Sequence, residues 1–221
     1  MDAHSFIAKL NSPVMYPTVY ERSYNDFWEW KIEVEAGGTC HILDDRHRDD
    51  ACKRLLKVLP SWKTYRRVKC DYKTWLPISL SNIVDAYDQI RKYDLLSFDR
   101  IPIAPLKLIW HELGRVKTVS YQRTQDGKYF VIAVCKPLMF IWGQTPPFDS
   151  RNRANIIKDR LYRLPNGGRW SFDWWRLILD DLRQALLLNP SIINDCEGRA
   201  NQIWKSSHII PYGRLLDIYY F

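Results

Sequence analysis

Apolar and polar residues alternate over residues 27–43, and a period of two is typical of a half-buried β-strand. The apolar members of this alternation are Trp28, Trp30, Ile32 and Val34. Two adjacent glycines, Gly37 and Gly38, interrupt it and supply the backbone freedom that a tight turn needs. The pattern therefore predicts a hairpin over Phe27–Leu43.

A second hairpin is predicted around the Asp-Gly pair at residues 126–127, a dipeptide that favours two-residue hairpin turns. The flanking segments, Val116–Arg123 and Lys128–Cys135, are rich in β-branched and aromatic residues. Leu138–Trp142 is short and apolar and adds a further strand. The segment Leu215–Phe221 also has a β-like composition.

Helical spacing takes over elsewhere, most clearly in the last third of the chain. We predict helices over Asp44–Leu59 (ended by Pro60), Ser81–Tyr93 (capped by Ser81), Arg151–Leu164, Phe172–Leu188 (capped by Ser171) and from Pro190 to about Lys205. Leu95–Pro105 contains two prolines and is predicted to be extended.

This order of elements predicts an α+β fold. Its sheet is mostly antiparallel, with two or more hairpins, and its helices are concentrated in the C-terminal third. No internal repeat or low-complexity linker divides the chain. We therefore expect a single domain over residues 1–221, preceded within that range by an N-terminal arm of about residues 1–26.

Composition is that of a folded protein: 46% of the residues are hydrophobic and 26% are charged. The longest apolar runs are much shorter than a membrane helix requires, and the N-terminus does not have the pattern of a secretory leader. Five cysteines, an odd number without a CxxC pair, argue against a disulfide framework. We expect a cytoplasmic protein without a membrane partner.

Candidate catalytic and metal-binding residues are few, and we predict no enzyme activity, catalytic residue, metal site or cofactor. Asp26, Glu29 and Lys31 resemble the carboxylates and lysine of metal-dependent nucleases, but they are too close in sequence to lie on two strands. A divergent nuclease is the third choice. One cluster of cysteines and histidines lacks the usual spacing of zinc ligands: Cys40, His41, His47, Cys52 and Cys70.

Basic residues give the chain a formal net charge of +8 at pH 7, which suits an acidic partner. The richest basic segment lies near Trp170 and Trp174, and stacking aromatics beside cations are typical of nucleic-acid surfaces. Its members are Arg151, Arg153, Lys158, Arg160, Arg163 and Arg169. A basic nucleic-acid-binding protein of a virus or mobile element is therefore the alternative function.

The order of motifs resembles the cypovirus polyhedrins, matrix proteins of insect viruses. The resemblance rests on the strand pair over Tyr20–Leu43, the Leu/Lys helix with a following tyrosine over Lys53–Tyr65, and the Trp-His-Glu-Leu-Gly motif at residues 110–114. It continues with the 126–127 hairpin and a final aromatic helix. It implies a structural protein that packs into an intracellular lattice, embeds virions and dissolves at alkaline pH.

Self-association is therefore the first predicted function, with copies of the chain and virions as partners. Aromatic rings and arginines are enriched in contacts between proteins, and the chain has 31 aromatic residues. The candidate contact residues are Trp170, Trp174, Tyr219, Tyr220 and Phe221. Deprotonation of tyrosines and lysines above pH 10 would make packed copies repel one another.

Overall fold

Helices form most of the structure, a computed structural model that describes residues 18–65, 71–118, 127–160, 168–194 and 210–220, together with residue 8. The helices are α1 (Thr18–Glu35), α2 (Arg48–Ser61), α3 (Tyr72–Asn82), α4 (Val84–Ile90), α5 (Ile103–Thr118), α6 (Val131–Ile141), α7 (Ser150–Arg160), α8 (Phe172–Leu187) and α9 (Tyr212–Tyr220). A 3₁₀ turn covers Phe98–Arg100, and residues 190–194 are also helical.

The predicted α+β fold with a mostly antiparallel sheet is wrong. Within the described ranges there is one sheet, made of two short antiparallel strands, β1 (Tyr129–Phe130) and β2 (Arg169–Trp170). Helices are spread along the chain and are not concentrated in its C-terminal third.

The predicted hairpin over Phe27–Leu43 is instead the second half of α1 followed by a loop. Tyr24, Phe27 and Lys31 are buried, and their spacing of three and four residues marks one face of a helix. The alternating tryptophans misled the prediction because Trp28 and Trp30 are only half-buried and flank that face. Residues 18–26, assigned to the N-terminal arm, form the first half of the same helix.

The predicted strands over Lys128–Cys135 and Leu138–Trp142 form β1 and α6. Nearly every residue of α6 is buried. A helix that is apolar all round shows no amphipathic period, so its sequence cannot be distinguished from that of a buried strand. Residues 119–126, which include the start of the predicted turn, lie outside the described residues.

The β-like segment after Leu215 is also helical, and α9 is buried from Gly213 to Tyr220. Two other local predictions are wrong. Ser81 lies inside α3, which is capped instead by Asp71 through the N–H of Thr74. The segment predicted as extended, Leu95–Pro105, contains the 3₁₀ turn and the start of α5.

The aromatic helix is confirmed. The Ser171 hydroxyl caps α8 by accepting a hydrogen bond from the N–H of Trp174 at 3.2 Å. The predicted apolar stripe of α8 is buried, and its members are Phe172, Trp175, Ile178, Leu179, Leu182 and Leu186. The predicted helices over Asp44–Leu59 and Arg151–Leu164 correspond to α2 and α7, although α2 continues past Pro60.

The core is built around α6, which packs against α1, α2 and α5. Phe140 of α6 lies among three aromatic rings, with centroids 5.3 Å from Tyr24, 5.4 Å from Phe27 and 5.2 Å from Trp62. Edge and tilted contacts of this kind are the preferred arrangements of aromatic pairs. Many of the aromatic residues thus stabilise the fold of one chain.

Candidate nucleic-acid interface

Helix α7 carries the first part of the basic segment, and its start is fixed by Asp149. The Asp149 carboxylate accepts hydrogen bonds from the N–H groups of Arg151 at 2.9 Å and Asn152 at 3.1 Å. A carboxylate at this position satisfies amides that have no partner within the helix. The cap thus sets which residues of α7 face inward.

The inner face of α7 is bonded to α9. Asn152 Nδ2 donates to the backbone oxygen of Asp217 at 3.4 Å, and Asn155 Nδ2 donates to that of Tyr220 at 2.8 Å. The Tyr220 hydroxyl donates in turn to Asp159 Oδ2 at 2.8 Å. Since residues 152, 155 and 159 share one face of a helix, the opposite face is directed outward.

Arg151 and Lys158 lie on that outward face and are exposed. Arg153 is half-buried beside the strand β2: a Cβ atom added to Gly168 would lie 2.7 Å from Nη1 of Arg153. Burial lowers the pKa of the Arg153 guanidinium, and Asp149 opposes this shift. The contact places the outer face of α7 next to the residue that follows Gly168, which is Arg169.

Arg169 is exposed, and its guanidinium carbon lies 4.9 Å from the ring centroid of Phe130. Trp174, in the first turn of α8, exposes 41% of its surface. Trp170 is fully buried and packs against Phe148 at 5.0 Å between centroids. Of the two tryptophans predicted to stack on bases, only Trp174 can do so.

The remaining predicted residues are placed as follows. The side chain of Arg160 and the whole of Arg163 and Phe221 lie outside the described residues. Tyr219 and Tyr220 are buried in the core of their own chain, with 6% and 1% of their surface exposed. Apart from Trp174, the described candidates for contact between copies are therefore internal.

The nuclease candidates do not converge. Asp26 and Glu29 are exposed on α1, whereas Lys31 is buried and paired with Glu35 one turn further along. The helix directs the lysine away from the two carboxylates, since residues 26 and 29 share one face and residue 31 lies on another.

A buried polar centre beneath α7 was missed by the sequence analysis. It consists of Lys136 on α6 with Arg214 and Asp217 on α9, which expose 5%, 0% and 2% of their surfaces. Lys136 donates to the backbone oxygen of Trp62, and Arg214 donates to Asp217. The available signal was a lysine inside an otherwise apolar run, Val131–Ile141, because an ion is rarely buried unless it has a partner.

Burial controls the ionisation of this polar centre. It lowers the pKa of Lys136, against the opposing charges of Asp149 and Asp217. It raises the pKa of Asp217, although Arg214 acts in the opposite direction. Because these groups are buried and bonded to one another, their role is to hold α6 and α9 together beneath the basic helix.

No family model, curated protein or solved structure matches the chain. Every helix in the described ranges is too short or too polar to traverse a lipid bilayer. Cys40, Cys52 and Cys135 have free thiols.

Proposed function

We propose that the protein binds nucleic acid through the surface formed by the outer face of α7, Arg169 and Trp174. The observation that supports this best is the contact of Arg153 with Gly168, which makes two basic segments neighbours in space. Arg151 and Lys158 then provide cations on one side, and Arg169 provides a cation on the other.

The chemistry of this surface suits a polyanion with accessible bases. Lysine and arginine neutralise phosphates and release counterions, which supplies most of the affinity in sequence-independent binding. An exposed tryptophan adds a flat apolar face on which an unpaired base can stack. A single-stranded nucleic acid uses both features, and the net charge of +8 would attract it from a distance.

The hydrogen bonds beneath α7 make the surface rigid before binding. Asn152 and Asn155 hold the helix against α9, and the Asp149 cap fixes its first turn. A preorganised surface loses less conformational entropy when a ligand binds. The buried polar centre therefore contributes to binding through position, not through contact.

Fluorescence anisotropy with labelled single-stranded DNA, single-stranded RNA and duplex DNA tests the proposal. We expect the single strands to bind most tightly, and the triple variant R151A/K158A/R169A to lose at least about tenfold in affinity. Its salt dependence should also fall, by about 0.7 in log–log slope for each phosphate contact removed from a single strand.

The matched control is K53A/K57A/K73A, which removes the same charge from exposed positions on α2 and α3. It should retain most of the affinity. Equal losses in both triple variants would show that net charge alone attracts the ligand. Trp174→Ala should weaken single-strand binding by about 1–3 kcal/mol, whereas Trp174→Phe should retain most of it.

Self-association is the second candidate, supported by apolar residues on the outside of α8. Leu177 exposes 58% of its surface, and Leu188, just beyond the helix, exposes 79%. Such residues suit contacts between copies, and a lattice that embeds virions would be their extended form. Sedimentation of the protein without nucleic acid tests this: Leu177→Glu should dissociate the assemblies, and Leu108→Glu, at an exposed position on α5, should not.

We further propose that the protein functions in the cytoplasm. Its free thiols are compatible with a reducing compartment.

A further inference from the structure

The loop between α1 and α2 brings together three side chains that can ligate a metal ion: Cys40, Asp44 and His47. One ligand atom from each, the thiol sulfur, a carboxylate oxygen and an imidazole nitrogen, lies within 4.8 Å of the other two. All three residues are half-buried, so they are held by the fold and still accessible to solvent.

The Asp44 carboxylate is fixed in place by the backbone of the same loop. Its Oδ1 atom accepts the N–H groups of Arg46 and His47, both at 3.1 Å, and its Oδ2 atom accepts that of His41 at 3.3 Å. Partial burial opposes ionisation, but these bonds outweigh it and lower the pKa of Asp44. An ionised carboxylate with a free lone pair on Oδ2 is thus directed toward the thiol and imidazole.

The types of ligand select the kind of metal. Magnesium and calcium prefer oxygen ligands, whereas a thiolate with an imidazole and a carboxylate suits zinc. Zinc–ligand bonds of about 2.0–2.3 Å imply ligand atoms some 3–4 Å apart in a tetrahedral site. Side-chain rotations are sufficient to move from the observed separation to this one.

We propose that Cys40, Asp44 and His47 bind one zinc-class divalent cation, with the fourth coordination position occupied by water. Bound there, the metal would cross-link the loop at both ends, from the residue after the Gly37-Gly38 turn to the residue before α2. The sequence analysis considered only cysteines and histidines, and it did not consider Asp44, which completes the site.

Cobalt(II) titration of the full-length protein, after treatment with a chelator, tests the proposal directly. Cobalt bound to a thiolate gives a charge-transfer absorption that oxygen and nitrogen ligands alone do not give. We expect this absorption to saturate at about one cobalt per chain, and zinc to displace the cobalt because zinc binds such sites more tightly.

Cys40→Ser should abolish the charge-transfer absorption, and His47→Gln should reduce cobalt affinity at least tenfold. Cys52→Ser and His41→Gln are the matched controls, since Cys52 and His41 lie nearby but outside the cluster, and both variants should bind as the wild type does. Asp44 is left unchanged because its carboxylate also orders the loop. The wild type should gain thermal stability with zinc, and Cys40→Ser should not.

Two results would overturn the site. One is the absence of thiolate-to-cobalt absorption in the wild type. The other is unchanged absorption in Cys40→Ser, which would assign the metal to a different cysteine.

Discussion

Arg214 and Asp217 form an ion pair within one turn of α9, and the side chains of both are almost fully buried. The guanidinium carbon of Arg214 also lies 5.0 Å from the ring centroid of Tyr24 and 5.3 Å from that of Trp62. One arginine therefore connects α9 to α1 and to the end of α2.

Removal of one member of this pair should destabilise the protein strongly. We expect Asp217→Asn to lower the free energy of unfolding by about 3–5 kcal/mol, because it leaves a buried cation without its counter-ion. Urea denaturation followed by tryptophan fluorescence measures this. The double variant R214M/D217N should recover part of the loss, and strictly additive effects would show that the two groups do not interact.

Gly213 is predicted to tolerate no side chain. A Cβ atom there would lie 2.4 Å from the backbone nitrogen of Thr145 and 2.6 Å from the backbone oxygen of Gly143. Neither backbone atom can move as a flexible side chain would, so Gly213→Ala should cost about 3 kcal/mol or more. Gly37→Ala, whose Cβ would have its nearest neighbour at 3.8 Å, is the control and should change the melting temperature little.

Stability should fall on mild acidification because of His41. Burial lowers its pKa, Arg91 adds to the shift, and Asp88, Asp44 and Glu35 oppose it. The unfolded chain therefore takes up a proton first as pH falls below about 6.5, and the folded state loses stability from that pH downward. Protonation at Nδ1 would also break the hydrogen bond that this atom accepts from the N–H of Leu43.

Thermal melts between pH 7.5 and pH 5 test this in a buffer with chelator. His41→Gln should show a flatter dependence on pH than the wild type, and His47→Gln should keep the wild-type slope. Equal slopes in the wild type and His41→Gln would assign the acid sensitivity to other groups.

At alkaline pH, Tyr24 and Tyr87 should make the fold less stable. Burial raises the pKa of both, and Glu35 adds to the shift at Tyr87, whose hydroxyl donates to the backbone oxygen of Ile141 at 2.7 Å. Above about pH 10 the unfolded chain releases these protons while the folded chain retains them, so the free energy of unfolding falls.

Ultraviolet titration of tyrosinate beside circular dichroism measures this effect. Part of the tyrosine signal should appear only as the helices unfold. Tyr87→Phe should reduce the pH slope of stability above pH 10, with Tyr93→Phe as the control. Complete tyrosine titration before any loss of helicity would contradict the assignment.

The sequence predicted the parts of the fold that are amphipathic. The Ser171 cap and the stripe of α8 followed from local spacing, because one face of that helix is buried and the other is exposed. The same reasoning failed for α6 and α9, which are buried on nearly all sides and therefore show no polar period. Where burial is complete, sequence pattern no longer distinguishes a strand from a helix.

The candidate sites were predictable to a similar degree. The basic residues of α7 and β2 were found from composition, but their proximity depends on the contact of Arg153 with Gly168, which no local pattern encodes. The role of Asp44 was missed because an acidic residue before a helix is usually a cap. It is both a cap and a potential ligand, and only the turn around it shows the second role.

The docking of α9 has a consequence for synthesis on the ribosome. Gly213 donates its N–H to the backbone oxygen of Gly143, and Arg214 reaches the ring of Tyr24. Helices from opposite ends of the described chain therefore share one interior, and the nascent polypeptide must keep its apolar segments from aggregating until residue 220 has emerged. Ribosome-bound chains cut short before residue 210 should be preferred clients of cellular chaperones.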